Sequence, residues 1–441
     1  MSLEMNRSSR ILVAVYLIFA GTTATVIGQK GPAKTQSRLP AQPARTVSSA
    51  QPWLQWGGPN RNFKVAASGL KESWENGAPK QLWSRALGDG HSAILYENGK
   101  LYTMYSSGDR EVIISLDAAS GRTLWEFGYD ASTQGLDMGE GRGPHSTPLI
   151  VGNILYAVGV KGTMHALDKS SGRQVWKRDL WAEFKGRFEN RGYSPSPIAY
   201  KNTVIVPLGG GDGNQCLAAF DGQSGNPVWR NGGFTPAAAS PIIINVGGQD
   251  QIVHLGFNEI YGADASNGSP LWSYPHKTNF GLNISTPVWN AADSLLFISS
   301  AYGTGSRALQ LIRNGNQTSV KQVWENKRMR VHFGTMVRIG DYVYGSSGDS
   351  GVAIFTAINA RTGQIAWQER ALARASVLYA DGKLVLLDED GTLAIAHSLP
   401  SGLNILAKAS VMQNRAWTVP TLAGTKLFLR DRRKIMALDL G

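Results

Sequence analysis

Residues 116–125 read LDAASGRTLW, and the spacing of three residues in this stretch decides the fold. Gly121 follows Asp117 by four positions and Trp125 follows it by eight. The same spacing returns in LDKSSGRQVW (167–176), FDGQSGNPVW (220–229), ADASNGSPLW (263–272) and INARTGQIAW (358–367), the last with Asn359 in the Asp place. An Asp or Asn side chain accepts hydrogen bonds from the backbone of the turn that follows it, and Gly adopts positive φ there without steric penalty. Alternating apolar residues before the turn form one strand, and those ending at Trp form the next. Two worn copies extend the series. ALQLIRNGNQTSVKQVW (308–324) keeps Trp324, and LAIAHSLPSGLNIL (393–406) keeps Gly402, with Ser398 and Leu406 in the Asp and Trp places.

Two further pieces recur ahead of most copies. One is a Ser/Thr-Pro lead-in: STP at 146–148, SPSP at 194–197, SP at 240–241, STP at 285–287 and VP at 419–420. The other is a turn into a strand: NGKLY at 98–102, GNILY at 152–156, GDYVY at 340–344, DGKLV at 381–385 and GTKLF at 424–428. Together they make a four-stranded unit repeating every 40 to 53 residues or so, the signature of a β-propeller blade.

The ends complete the count. IMALDLG (435–441) carries Leu438 and Asp439 with no Trp after them, and KQLWSRAL (80–87) carries Trp83 with no Asp strand before it. One motif is split between the two ends. Pairing the strand around Trp83 with the strand ending at Asp439 closes a ring without exposed edges. The expectation is an all-β, eight-bladed propeller of four-stranded antiparallel blades over residues 53–441, with the amino- and carboxy-terminal strands in one blade. Trp56, in WLQWGGPNRNF (53–63), is expected to pack that segment onto the ring.

Composition sets the limits. The 441 residues include 51 Gly, which fits a chain that turns often, and 42% hydrophobic residues, enough for a large core. Cys216 is the only cysteine, so neither an intrachain disulfide nor a paired-cysteine metal site can form. The net charge of +12 comes without the clustered Lys/Arg runs that nucleic-acid binding calls for, and favours anionic partners. Arg7 and Arg10, the apolar run Ile11–Ala20 and the small residues Gly21–Gly28 read as a secretory signal peptide over 1–28, with an uncleaved anchor as the alternative. Residues 29–52, rich in Pro, Ser, Ala and basic side chains, read as a disordered linker. These features place the protein in the periplasm or outside the cell.

The repeated pattern is Ala or Leu, then Asp or Asn, two residues, Ser or Thr, Gly, three residues and Trp. It resembles the tryptophan-docking repeat of the pyrroloquinoline quinone (PQQ) propeller superfamily, and the resemblance covers residues 53–441. That superfamily includes quinoprotein alcohol dehydrogenases and BamB-like envelope assembly proteins, so the fold does not choose the function. The chain departs from the dehydrogenases. It lacks the neighbouring cysteine pair, no segment matches their calcium ligands or catalytic Asp, and little chain is left for long insertions. It departs from BamB in having no amino-terminal cysteine for a lipid.

LGGGDGNQ (208–215), SSGDSG (346–351) and DEDG (388–391) read as hairpin turns, since none opens a helix or has P-loop or EF-hand spacing. One pattern does point to a site. The segments joining each outer strand to the next inner strand open onto one end of the channel. They carry His91, Arg142, His145, Arg191, Tyr193, Asn279, Asn283, Arg330, His332, Arg374, Arg415 and Trp417. His91, Arg142, His145, Arg191, Tyr193, Asn283, His332, Arg415 and Trp417 are expected to form a positively polarised ligand site at the channel mouth. No catalytic residue and no metal ligand is assigned. The expected function is non-catalytic binding or scaffolding, with an anionic small molecule or an envelope protein as partner and a monomeric state. The resemblance implies two alternatives: a PQQ-dependent oxidoreductase with calcium, and a BamB-like assembly factor.

Overall fold

The computed structural model describes residues 50–186, 191–209, 215–349 and 352–441. The signal peptide expected at 1–28 lies outside these residues, as does the linker expected at 29–52 except for its last three positions. The described strands form eight four-stranded antiparallel sheets. Blade 1 runs outward from Leu95–Glu97 through Lys100–Ser107 and Arg110–Asp117 to Thr123–Asp130. Blades 2 to 7 repeat this order over 149–179, 198–231, 242–275, 288–326, 331–369 and 375–410. Blade 8 takes Thr421–Ala423, Lys426–Arg430 and Lys434–Asp439 from the end of the chain and Lys80–Ala86 from its start. Trp83 lies opposite Ala437, so the split motif is rejoined as expected.

The motif residues couple one blade to the next. The Trp83 indole donates to the Ala118 carbonyl at 2.9 Å, and its ring covers Gly121 in the turn of blade 1. Trp125 repeats this on Lys169 and Gly172, Trp176 on Gly222 and Gly225, and Trp324 on Ala360 and Gly363. Asp117 fixes the turn by accepting from the Ser120 amide and hydroxyl at 2.9 and 2.6 Å. Trp272 departs from the series. Blade 5 carries the lengthened, worn turn, and Trp272 donates instead to Gln251 of its own blade at 2.7 Å. Gly121 has φ +70°, and a Cβ there would sit 2.5 Å from the Trp83 ring. Gly121→Ala therefore combines backbone strain with a clash and is expected to cost about 2–4 kcal/mol in urea unfolding.

The Ser/Thr-Pro lead-ins form an inner seam. The Ala93 amide donates to the Thr147 hydroxyl, the Thr147 amide to Ser196, and the Ser196 amide to Ser240, each at 3.0 Å. Each hydroxyl thus satisfies a buried donor of the preceding repeat.

Residues 53–65 occupy the channel rather than merely covering the ring. Trp53 pairs with Tyr96 of blade 1, and the Leu54 carbonyl accepts from Ile150 of blade 2. Arg61 donates to the Ser196 and Pro197 carbonyls at the start of blade 3, and Trp56 to Thr286 at the start of blade 5. The Phe63 carbonyl and the Val65 amide both bond Tyr379 of blade 7. Trp53 and Phe63 are fully buried, with Trp56 edge-on to Phe63 at 5.4 Å. The chain then crosses to blade 8, where the Lys71 amide donates to Leu440. One segment ties five blades together at or beside their inner strands.

Candidate functional site

Antiparallel order puts the inter-blade connections at the same end of the ring as the hairpins between second and third strands. At this end, seven aromatic rings follow one another around the mouth. Phe280 meets Tyr302 edge-on at 5.0 Å, Tyr302 meets His332 at 5.0 Å, and His332 meets Phe333 at 4.8 Å. Phe333 lies 4.2 Å from Trp417, Trp417 lies 5.3 Å from His91, and His91 stacks on His145 at 5.6 Å. The arc spans the connections 4–5, 7–8, 8–1 and 1–2 and parts of blades 5 and 6. Tyr302 is held at φ +56°, a strained value for a bulky side chain that persists only where the surroundings fix it. Phe280 is 63% exposed, so the arc reaches solvent.

Burial keeps the imidazoles neutral. It pushes His91 down to about 4, His145 to about 3 and His332 to about 4. The Nε2 atoms of His91 and His332 bond the Glu140 carbonyl at 2.8 Å and the Tyr302 hydroxyl at 3.0 Å. Two guanidinium groups lie over the arc, Arg374 at 4.9 Å from Phe333 and Arg415 at 5.0 Å from Trp417.

The expected positive polarisation does not appear, because the connections and the adjoining hairpins supply carboxylates. Arg374 pairs with Glu389 at 3.1 Å, Arg330 with Asp349 at 3.1 Å, Arg415 with Glu140 at 3.3 Å and Arg191 with Asp137 at 3.6 Å. The Trp417 indole also donates to Glu389, at 2.8 Å. The mouth is an aromatic arc with balanced charge.

The predicted residues divide into two groups. His91, His145, His332 and Trp417 lie on the arc, and Arg374 and Arg415 lie over it. Arg191 lies close enough to Tyr302 and His332 to act on them electrostatically. Arg142 turns away to the Gly108 carbonyl and Asp109 of the blade 1 hairpin. Asn283 is fully buried, where its amide donates to the Gly256 and His276 carbonyls and its oxygen accepts from Ser300. Tyr193 is buried in the apolar core beneath blades 2 and 3. Asn279 is exposed beside Phe280. Phe280, Tyr302 and Phe333 are apolar or aromatic members of the arc that the pattern of polar side chains does not mark, yet Phe280 and Phe333 sit beside Asn279 and His332 in the sequence.

Among the described residues no three or more His, Cys, Asp or Glu side chains are grouped to hold a metal ion.

Fold and mouth together define a PQQ-type propeller. The structure superposes on the quinohemoprotein alcohol dehydrogenase of Comamonas testosteroni with a TM-score of 0.60 at 12% identity, covering 89% of this chain and 81% of that one. It superposes on BamB of Moraxella catarrhalis with a TM-score of 0.56 at 17% identity, covering 82% of this chain and all of that one. At such identities the likeness shows the fold alone. The sequence is 24% identical over 346 residues to the outer membrane protein assembly factor BamB of Shewanella oneidensis, spanning 73% of this chain and 80% of that protein. A family model described as outer membrane protein assembly factor BamB matches residues 108–369, and the chain belongs to that family.

Proposed function

We propose that this protein is a non-catalytic docking propeller of the cell envelope, exported by residues 1–28, which receives a segment of a partner protein at the aromatic mouth. The continuous ring arc carries this reading. Aromatic and Arg side chains with satisfied charges are what protein interfaces use at their centres, whereas a small anion calls for unpaired donors. The family's name supplies the partner class, a component of outer-membrane protein assembly. Phe280→Ser and Trp417→Ala each remove one anchor and are expected to lower co-purification of that machinery at least tenfold, the loss of about 1.4 kcal/mol or more. Co-purification unchanged in both variants would sink the reading.

A further inference from the structure

We propose that a second site, at the seam of blades 8 and 1, binds a phosphate group. A cavity of about 450 Å³ opens there, lined by Leu87, Gly88, Asp89, Asn414 and the three arginines Arg415, Arg432 and Arg433. Two of those arginines come from RDRRK (430–434), a short basic run at the turn between the second and third strands of blade 8.

The site is built before any ligand arrives. Arg432 is held by Asp89 through two bonds, Nε to Oδ1 at 2.8 Å and Nη2 to Oδ2 at 2.6 Å. Asp431 fixes the turn, its Oδ1 accepting from the Arg433 and Lys434 amides at 2.7 and 2.8 Å. Its Oδ2 accepts from the Asn414 amide and side chain at 3.2 and 3.1 Å, tying the turn to the segment that carries Arg415. The Arg433 side chain is exposed on this rigid base.

Charge decides the ligand. Beneath the cavity Arg430 is fully buried, and it donates to the Gly88, Ser92 and Met104 carbonyls and the Thr103 hydroxyl, all uncharged. Four guanidinium groups therefore face three carboxylates, those of Asp89, Asp431 and Glu140. The surplus is positive and open to water on the Arg433 side. A planar carboxylate engages one guanidinium fork, whereas a tetrahedral phosphate offers oxygens in several directions, so it can take Arg433 together with the guanidinium edges of Arg415 and Arg432 that Glu140 and Asp89 do not engage. The site borders the aromatic arc and shares Arg415 with it, and its phosphate comes from a free phosphate compound or a lipid headgroup.

The full chain would be titrated calorimetrically with inorganic phosphate at low ionic strength, and floated with vesicles of phosphatidylglycerol or of phosphatidylcholine. Saturable phosphate binding, weakened at least tenfold in Arg433→Ala and Arg433→Glu but kept in Arg122→Glu on the opposite end, supports the site and a free phosphate source. Flotation with phosphatidylglycerol alone, lost in the same two variants, supports the site with a headgroup as source. Binding of neither probe, or binding equal in Arg433→Glu and the unaltered protein, overturns the proposal. Retention of the unaltered protein's thermal transition by Arg433→Glu separates lost binding from lost fold.

Discussion

Deletion of residues 434–441 is expected to abolish the cooperative unfolding transition of the whole propeller, not merely to loosen its last blade. The deleted segment is the third strand of blade 8, between Lys426–Arg430 and Lys80–Ala86. Ile435, Met436, Leu438 and Leu440 are each 3% exposed or less. Burying such side chains contributes roughly 1.5–3 kcal/mol apiece, so four approach the roughly 5–15 kcal/mol that holds a typical domain folded. Deletion also bares two strand edges and leaves Trp83 without the strand that positions it over Gly121. Thermal unfolding followed by far-ultraviolet circular dichroism checks this. The expected trace has no sharp transition, and a transition within a few degrees of the full chain would contradict closure as the source of stability.

The second large effect is acid lability between pH 6.5 and 4. Burial pushes His91, His165, His254 and His332 down to about 4, and His145 and His276 to about 3, from an ordinary 6.5. A base whose affinity for a proton falls on folding binds more protons unfolded. Stability present above pH 6.5 is therefore lost as the pH falls toward the folded values. Each imidazole contributes on the order of 1–2 kcal/mol of loss at pH 5, so six together rival the stability of the domain. Glu111 acts in the opposite direction. Burial raises it to about 7, against hydrogen bonds from Tyr129 and the Val160 amide, so the fold keeps its proton. Its stabilisation is lost as the pH rises from about 4.5 through 7. Melting temperatures from pH 4 to 9 should level off above neutrality and fall steeply on the acid side, and Glu111→Gln, by removing the opposing contribution, should steepen that fall. An unchanged melting temperature between pH 7 and 5 would show that the histidines are not held neutral by the fold.

The sequence discloses the ring because its repeats are local. Asp117, Gly121 and Trp125 stand within ten residues of one another, although Trp125 packs on Gly172 of the next blade, and the orphans Trp83 and Asp439 reveal the join. The channel segment was less legible. WLQWGGPNRNF has no repeat partner, and its contacts with Tyr96, Ile150, Ser196, Thr286 and Tyr379 are set by the closed ring alone. The mouth was legible by position and not by orientation. Residue order places Arg142 and Asn283 in inter-blade connections but does not say that one turns to Asp109 and the other into Gly256 and His276. Nor does order along the chain pair Arg415 with Glu140, 275 positions apart, and so the balance of charge emerges only in three dimensions. RDRRK carries no signal in the sequence, because five residues interrupted by Asp431 fall short of the basic runs that mark nucleic-acid binding.

The most direct test of the docking mouth is site-specific photo-crosslinking in the native envelope. A photoreactive residue would replace Phe280 at the mouth and, in a second strain, Gln223, exposed in a turn at the opposite end of the ring. A crosslink from position 280 to a component of outer-membrane protein assembly, absent from position 223, is the predicted result. Crosslinks from position 223 alone, or none from position 280 in a folded and exported protein, would contradict the account.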